Sequence, residues 1–158
     1  VSEYTFYNEK FHLNYNELAE IYETHFNEMR DRLSLGGIFL DSFKPRLDEY
    51  FKASEGGWLK NYVVRTDAGE PIGYMNIYLT SHMKNHQFVA NEDGLYIVKA
   101  HRKGVGKLLL KHVISDLTNL GVTQLNVSAM TDDRVVRMWQ RLGFKFACTS
   151  MTLNLQDK

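Results

Sequence analysis

The 158 residues carry 44% hydrophobic and 24% charged side chains, ordinary globular usage that excludes a disordered chain or a fibrous repeat and suits one domain over 1–158. Nineteen Lys and Arg balance nineteen Asp and Glu, so no global positive field draws the protein to nucleic acid or an anionic membrane. The longest apolar run, Leu95 to Val98, falls far below the roughly 20 residues that span a bilayer. Val1 opens no charged-then-apolar leader segment, Cys148 has no disulfide partner, and the six histidines lack zinc-site spacing, so a reducing compartment, the cytoplasm, and no metal are expected.

In chain order, Tyr4 to Phe11 alternates as a first strand. Asn14 followed by Glu17 resembles a capping box, and Leu18, Ile21, Tyr22, Phe26, Met29 and Leu33 recur behind it at helical spacing. Asp41 to Pro45 starts a shorter helix, with Pro45 in its first turn and Leu47, Tyr50 and Phe51 on its buried face, stopped by Gly56 and Gly57. Trp58–Thr66 and Ile72–Leu79 read as strands joined by a turn at Asp67-Ala-Gly69. A further strand, Phe88–Val98, is interrupted by Asn91-Glu-Asp-Gly94, a cluster that predicts a bend or bulge. Gly106–Leu120 is an amphipathic helix closed by Gly121, Val122–Met130 an alternating strand, and Asp132 or Asp133 to Leu142 a helix. Phe144–Leu155 supplies one or two closing strands. The order β-α-α-β-β-β-α-β-α-β predicts an α+β domain with a mixed sheet and helices on its faces.

The chemistry concentrates where the strand Leu95–Val98 passes through a basic, glycine-containing turn into the Gly106 helix. A helix N-terminus presents unpaired amides and partial positive charge, and glycines let backbone approach a phosphate. Neither the Walker spacing nor the dinucleotide fingerprint is present. The stretch His101-Arg-Lys-Gly104-Val-Gly106 resembles the shared motif of the GNAT superfamily of N-acyltransferases, with His101 where Arg or Gln is usual and Arg102 and Lys103 supplying charge beside it. Asp132-Asp-Arg-Val-Val-Arg-Met-Trp-Gln-Arg-Leu-Gly-Phe144 looks like the family's second block, with Asp132 in the place of an asparagine and Trp139 in that of a tyrosine. The resemblance spans roughly Glu70 to Leu155, and the style is also similar to short phage-encoded members.

This resemblance implies a largely antiparallel sheet with a central V-shaped splay and transfer of an acetyl group from acetyl-CoA to a primary amine by direct attack. Its cofactor contacts would be Tyr96, Ile97 and Val98 for pantetheine, the turn His101, Arg102, Lys103, Gly104, Val105, Gly106 and Lys107 for pyrophosphate, and Asp132 and Trp139. Glu92, four residues before Tyr96, stands where several members place a general base; Asp93 is its rival, and strand alternation turns only one of them to the cleft. An indole cannot act as an acid at neutral pH, so Trp139 packs a wall, and the leaving thiolate is protonated by water, Tyr96 or Ser128. Partners are then acyl-CoA and an amine, small molecule or protein, with a homodimer left open and neither membrane nor nucleic acid expected. A binding protein of the same fold with weak or lost turnover is the alternative. His82, His86 and His112 read as surface or helix-face residues, Cys148 as core, and Arg134, Arg137 and Arg141 as a solvated basic face.

Overall fold

The computed structural model describes residues 3–129 and 133–156, which divide into two compact units: Val1–Tyr22 with Pro45–Val127, and Glu23–Lys44 with Ser128–Lys158. In the first unit β1 (Tyr4–Glu9) leads into α1 (Phe11–Leu35), which crosses the unit boundary at Tyr22. The unit resumes with α2 (Leu47–Glu55), β2 (Leu59–Thr66), β3 (Pro71–Ser81) and β4 (Phe88–Ile97). A 3-10 turn (Lys99–His101), α3 (Val105–Asn119) and β5 (Gln124–Asn126) complete it. The five strands form one sheet in sequence order, antiparallel from β1 to β4, with β5 added parallel to β4.

Strand alternation decides which helix lies on which face. Adjacent residues of β2 point oppositely: the Asn61 amide donates to Tyr22 Oη of α1 at 3.0 Å, whereas Tyr62 Oη donates to Asp116 Oδ2 of α3 at 2.6 Å. Met75 and Ile77 of β3, fully buried, share the row of Tyr62, and Leu109, Leu110 and Val113 of α3 are buried as completely, so this face is aliphatic. The α1/α2 face is aromatic and polar instead. There Phe11, Tyr22 and Tyr74 are buried, and Tyr22 and Tyr74 lie 4.4 Å apart between ring centres. A polar chain enters the same face from its edge. Arg65 grips Glu9 at 2.8 and 2.9 Å and Glu17 at 2.6 Å; Glu9 accepts from Asn14, Asn14 donates to Asn61, and Asn61 donates to Asn76. Asn61 and Asn76, only 2% exposed each, are tolerated in the core because each is hydrogen-bonded.

Several boundaries differ from the expectations above. Helix α1 begins at Phe11 rather than behind a cap at Asn14, which lies inside the helix and donates its side-chain amide to Glu9 and Asn61. Pro45 precedes α2 instead of occupying its first turn; its carbonyl accepts from the Leu47 amide at 3.0 Å. The expected strand Val122–Met130 shrinks to Gln124–Asn126, with Met130 outside the described residues.

In the second unit Phe26 packs on Phe43 at 5.5 Å, Arg30 donates to the Leu40 carbonyl, and the Asn154 amide donates to the Gly37 carbonyl at 2.7 Å. Helix α4 spans Asp133–Arg141. The closing strands expected over Phe144–Leu155 are not formed: no ladder involves 144–156 among the described residues, and Phe146, Met151, Leu153 and Leu155 are 73–88% exposed. Alternation alone does not make a strand; it also needs an edge to pair with and a face to bury. No helix among the described residues is long and apolar enough to cross a membrane.

Candidate functional site

The site grows from an irregularity in β4. Asn76 pairs with Gly94 and Ile77 with Glu92, so Asp93 is an extra residue between them and the strand bulges there. On its other side the parallel ladder with β5 runs Val89–Gln124, Ala90–Leu125, Asn91–Asn126 and then ends, fastened by an Asn126-to-Asn91 side-chain bond of 2.9 Å. The two strands therefore part at the residue before the bulge, which is the V-shaped splay. Beyond it β4 continues to Ile97, paired on one side with β3. Val98 N–H donates to the Ile72 carbonyl at 2.8 Å and Tyr96 pairs with Tyr74, so parity turns the peptide groups of Leu95 and Ile97 to the outer edge. Arg102 Nε donates to the Ile97 carbonyl at 2.7 Å, and its guanidinium lies 4.9 Å over the Tyr96 ring.

The outer edge leads into the N-terminus of α3. Gly104 caps that helix with φ +81°, a left-handed conformation open to glycine, and the amides of Val105, Gly106 and Lys107 belong to the first turn, where no preceding carbonyl can reach them. Gly106 has no such conformational reason: a Cβ there would meet only Ile97 Cγ1 at 3.8 Å, an ordinary contact. A side chain at 106 would otherwise meet open space at the first turn of α3. With Arg102, Lys103 and Lys107 exposed around it, this end fits a pyrophosphate. His101, in the motif's Arg/Gln place, is tied through Nδ1 to Tyr4 Oη at 2.9 Å and so fastens the turn to β1.

The carboxylates of the bulge fall in different surroundings. Glu92 pairs with Ile77, whose row faces α3. Asp93 is held from the other face: Tyr50 of α2 donates to Asp93 Oδ2 at 3.0 Å, and Tyr78 acts electrostatically on Tyr50. Desolvation against the rings raises the Asp93 carboxyl above the usual carboxylate range, with the Tyr50 bond opposing, and the residue itself is exposed. Burial and then the Asp93 charge push Tyr78 up to about 12 and raise Tyr50; burial also leads the rise of Tyr74, followed by Tyr22 and Asp93, and that of Tyr22, which its bonds to Asn76 and Asn61 oppose. Regular alternation would have turned Asp93 away; the bulge breaks it, and Asp93 joins Tyr50. Tyr96 is buried beneath Arg102. The tyrosines around Asp93 were legible only as core residues, because helical periodicity marks Tyr50 as buried without saying what it meets.

In the second unit Trp139 is buried, donates Nε1–H to the Ser128 carbonyl at 3.1 Å and packs edge-on against Phe144 at 5.1 Å. Asp132 lies outside the described residues. Arg134, Arg137 and Arg141 are exposed, as is Cys148, which is therefore not the core residue expected. His112 stacks on Phe6 and bonds Asn8 Oδ1 at 2.7 Å, and His82 accepts from the Lys84 amide at 3.1 Å, both structural contacts. Among the described residues no three His, Cys, Asp or Glu side chains gather to hold a metal.

An open, mostly antiparallel sheet whose fourth strand runs on into a glycine-capped helix defines an α+β fold of the acetyltransferase kind. Residues 15–144 match the acetyltransferase (GNAT) family, and the chain belongs to it; members use acetyl-CoA as cosubstrate. Among solved structures, the fold is similar to a ribosomal-protein-alanine N-acetyltransferase from Brucella melitensis, with TM-score 0.74, 12% identity and coverage of 99% of this chain and 100% of that one. It is also similar to a GCN5-related N-acetyltransferase from Ralstonia eutropha (TM-score 0.72, 18% identity, 96% and 98% covered). A third similar fold is an aminoglycoside acetyltransferase from an uncultured soil metagenomic sample in complex with sisomicin (TM-score 0.70, 15% identity, 98% and 95% covered). These bacterial and soil sources lend no support to the phage-like style noted in the sequence. No curated protein matches the sequence.

Proposed function

We propose that this acetyltransferase moves the acetyl group of acetyl-CoA directly onto a primary amine in a ternary complex. The observation that carries this is the parting of β4 and β5 one residue before a bulge bearing two carboxylates, on the strand that runs on into the α3 N-terminus. The amides of Val105, Gly106 and Lys107, with the cations of Arg102, Lys103 and Lys107, hold the pyrophosphate, while His101 anchors the turn. The outward peptide groups at Leu95 and Ile97, within the stretch that includes Tyr96 and Val98, receive the pantetheine arm. Acetyl-CoA supplies an activated acyl group and a thiolate that leaves readily.

An amine with a pKa well above neutrality arrives as an ammonium and must lose a proton to attack. Sequence position favours Glu92 for this; the bulge supports Asp93 better, because its raised carboxyl is closer to the pKa a base needs and Tyr50 orients it. Glu92 remains beside it as a second carboxylate. The thiolate takes its proton from water or Tyr96, since the Trp139 N–H is committed to Ser128. A lone, exposed cysteine fits a cytoplasmic setting.

Thermal unfolding with acetyl-CoA and thiol release with an amine panel test this reading. Cosubstrate at about 100 times its Kd should add roughly 2.7 kcal/mol, and Gly106→Asp should abolish that gain. Asp93→Asn should lower kcat/KM about 10²- to 10⁴-fold and Glu92→Gln under about tenfold. An unmoved melting temperature would refute the cradle, stabilisation without thiol release would favour an acyl-CoA-binding protein, and the reverse order of the two carboxylate variants would return the role to Glu92.

A further inference from the structure

We propose that the aromatic row Trp58, Tyr78, Tyr50, which ends on Asp93, recognises the acceptor and takes a primary amine carrying a single positive charge on an aromatic or flat apolar body. This rests on the acyl-transfer reading of the same bulge and adds the substrate class.

The row runs from ring to ring. Trp58 and Tyr78 lie 5.7 Å apart between ring centres at a 36° tilt, Tyr78 and Tyr50 act electrostatically on one another, and Tyr50 donates to Asp93 at 3.0 Å. It is also open, since Trp58 is 47% exposed and Tyr50 and Tyr78 are half-buried. Its far end is held in place: a Cβ at Gly56 would sit 3.0 Å from Trp58 Cδ1 and Nε1, so the glycine lets the indole lie on the turn that ends α2. Tyr50 is fixed from behind by Phe11, stacked at 5.0 Å. Rigid flat rings offer contact area at little conformational cost.

Charge restricts what can lie there. Tyr22, Tyr50, Tyr74 and Tyr78 all feel the Asp93 carboxylate, and Tyr74 also feels Glu92, whose strand partner faces α3. Glu49, on α2 beside Tyr50, is committed to Arg46 at 3.2 Å, and Glu9 and Glu17 are committed to Arg65. One ammonium finds a carboxylate at the bulge, while the further ammonium groups of a polycation find phenol and indole surface. A monoamine with a flat body instead places its ammonium on Asp93 and its body along the rings.

The test compares kcat/KM by thiol release for 2-phenylethylamine, spermidine and sisomicin at one ionic strength. 2-Phenylethylamine should exceed both polycations by tenfold or more. Trp58→Ala should raise its KM about tenfold with kcat and acetyl-CoA stabilisation unchanged, and Trp58→Phe should restore most of the loss. Preference for spermidine or sisomicin, an unchanged KM in Trp58→Ala, or no turnover of any of the three while acetyl-CoA still stabilises the protein would each overturn the class. Absence of acetyl-CoA stabilisation would sink the acyl-transfer reading and the class with it.

Discussion

Replacing Tyr50 with phenylalanine deletes one oxygen and isolates the contact that sets Asp93. The ring, its stack on Phe11 and the α2 backbone are kept. The lost bond, 3.0 Å to a carboxylate, is of a kind worth about 1.5–3 kcal/mol, and because Asp93 still meets solvent, water recovers part of it. The sign follows from the two opposing causes: burial raises the Asp93 carboxyl and the Tyr50 bond lowers it, so removing the bond raises it further. In a plot of kcat/KM against pH at saturating acetyl-CoA, the acidic limb of Tyr50→Phe should lie above that of the unmodified protein. Protonation of the amine itself contributes equally to both curves and cancels in the comparison. Stability gives an independent readout. A carboxyl whose folded pKa exceeds its unfolded one stabilises fully below the unfolded value, and that contribution is lost as pH rises through the folded value. Tyr50→Phe should therefore lose more melting temperature at pH 8 than at pH 4, while Asp93→Asn should be at least as heat-stable as the parent at pH 8. An acidic limb that stays put or moves down would refute the assignment of Asp93 and of the bond that tunes it.

Trp139→Ala should cost about 3–5 kcal/mol in denaturant unfolding through the cavity it leaves, whereas Trp139→Phe should lose about 1–2 kcal/mol with its bond to the Ser128 carbonyl and keep most of the turnover. A large turnover loss in Trp139→Phe without a stability loss would give the indole a chemical role. Arg65→Ala should destabilise by about 1–3 kcal/mol at neutral pH, chiefly by stranding the half-buried Glu9. Arg65 holds the Glu9 and Glu17 carboxyls below their usual range, so their contribution is present above the unfolded pKa and lost as pH falls through the folded one. The difference in melting temperature between Arg65→Ala and the parent should thus shrink toward acid, and a constant difference would deny the pairing that role.

Local patterning in this chain was enough to reveal the elements that depend on near neighbours. The apolar stripe of α3, the turn at Asp67-Ala-Gly69 and the glycine break between β4 and α3 are set by periodicity and backbone freedom within a few residues, and the glycine-capped start of α3 was legible for the same reason. The bulge was legible too, as a cluster of turn residues inside a strand. What the bulge does to Glu92 and Asp93 was not. Which carboxylate turns toward Tyr50 depends on the register of β4 against β3, where Ile77 meets Glu92 and Asn76 meets Gly94. A one-residue shift in pairing reverses the facing of every side chain beyond it, and no local propensity encodes that shift. Tyr50 lies 43 residues from Asp93 in the chain, so only the packing of α2 on the sheet brings the hydroxyl to the carboxylate. The alternating stretch after Phe144 failed in the opposite direction: its pattern suits a strand, but pairing is a property of two segments, and the tertiary structure supplies no partner among the described residues.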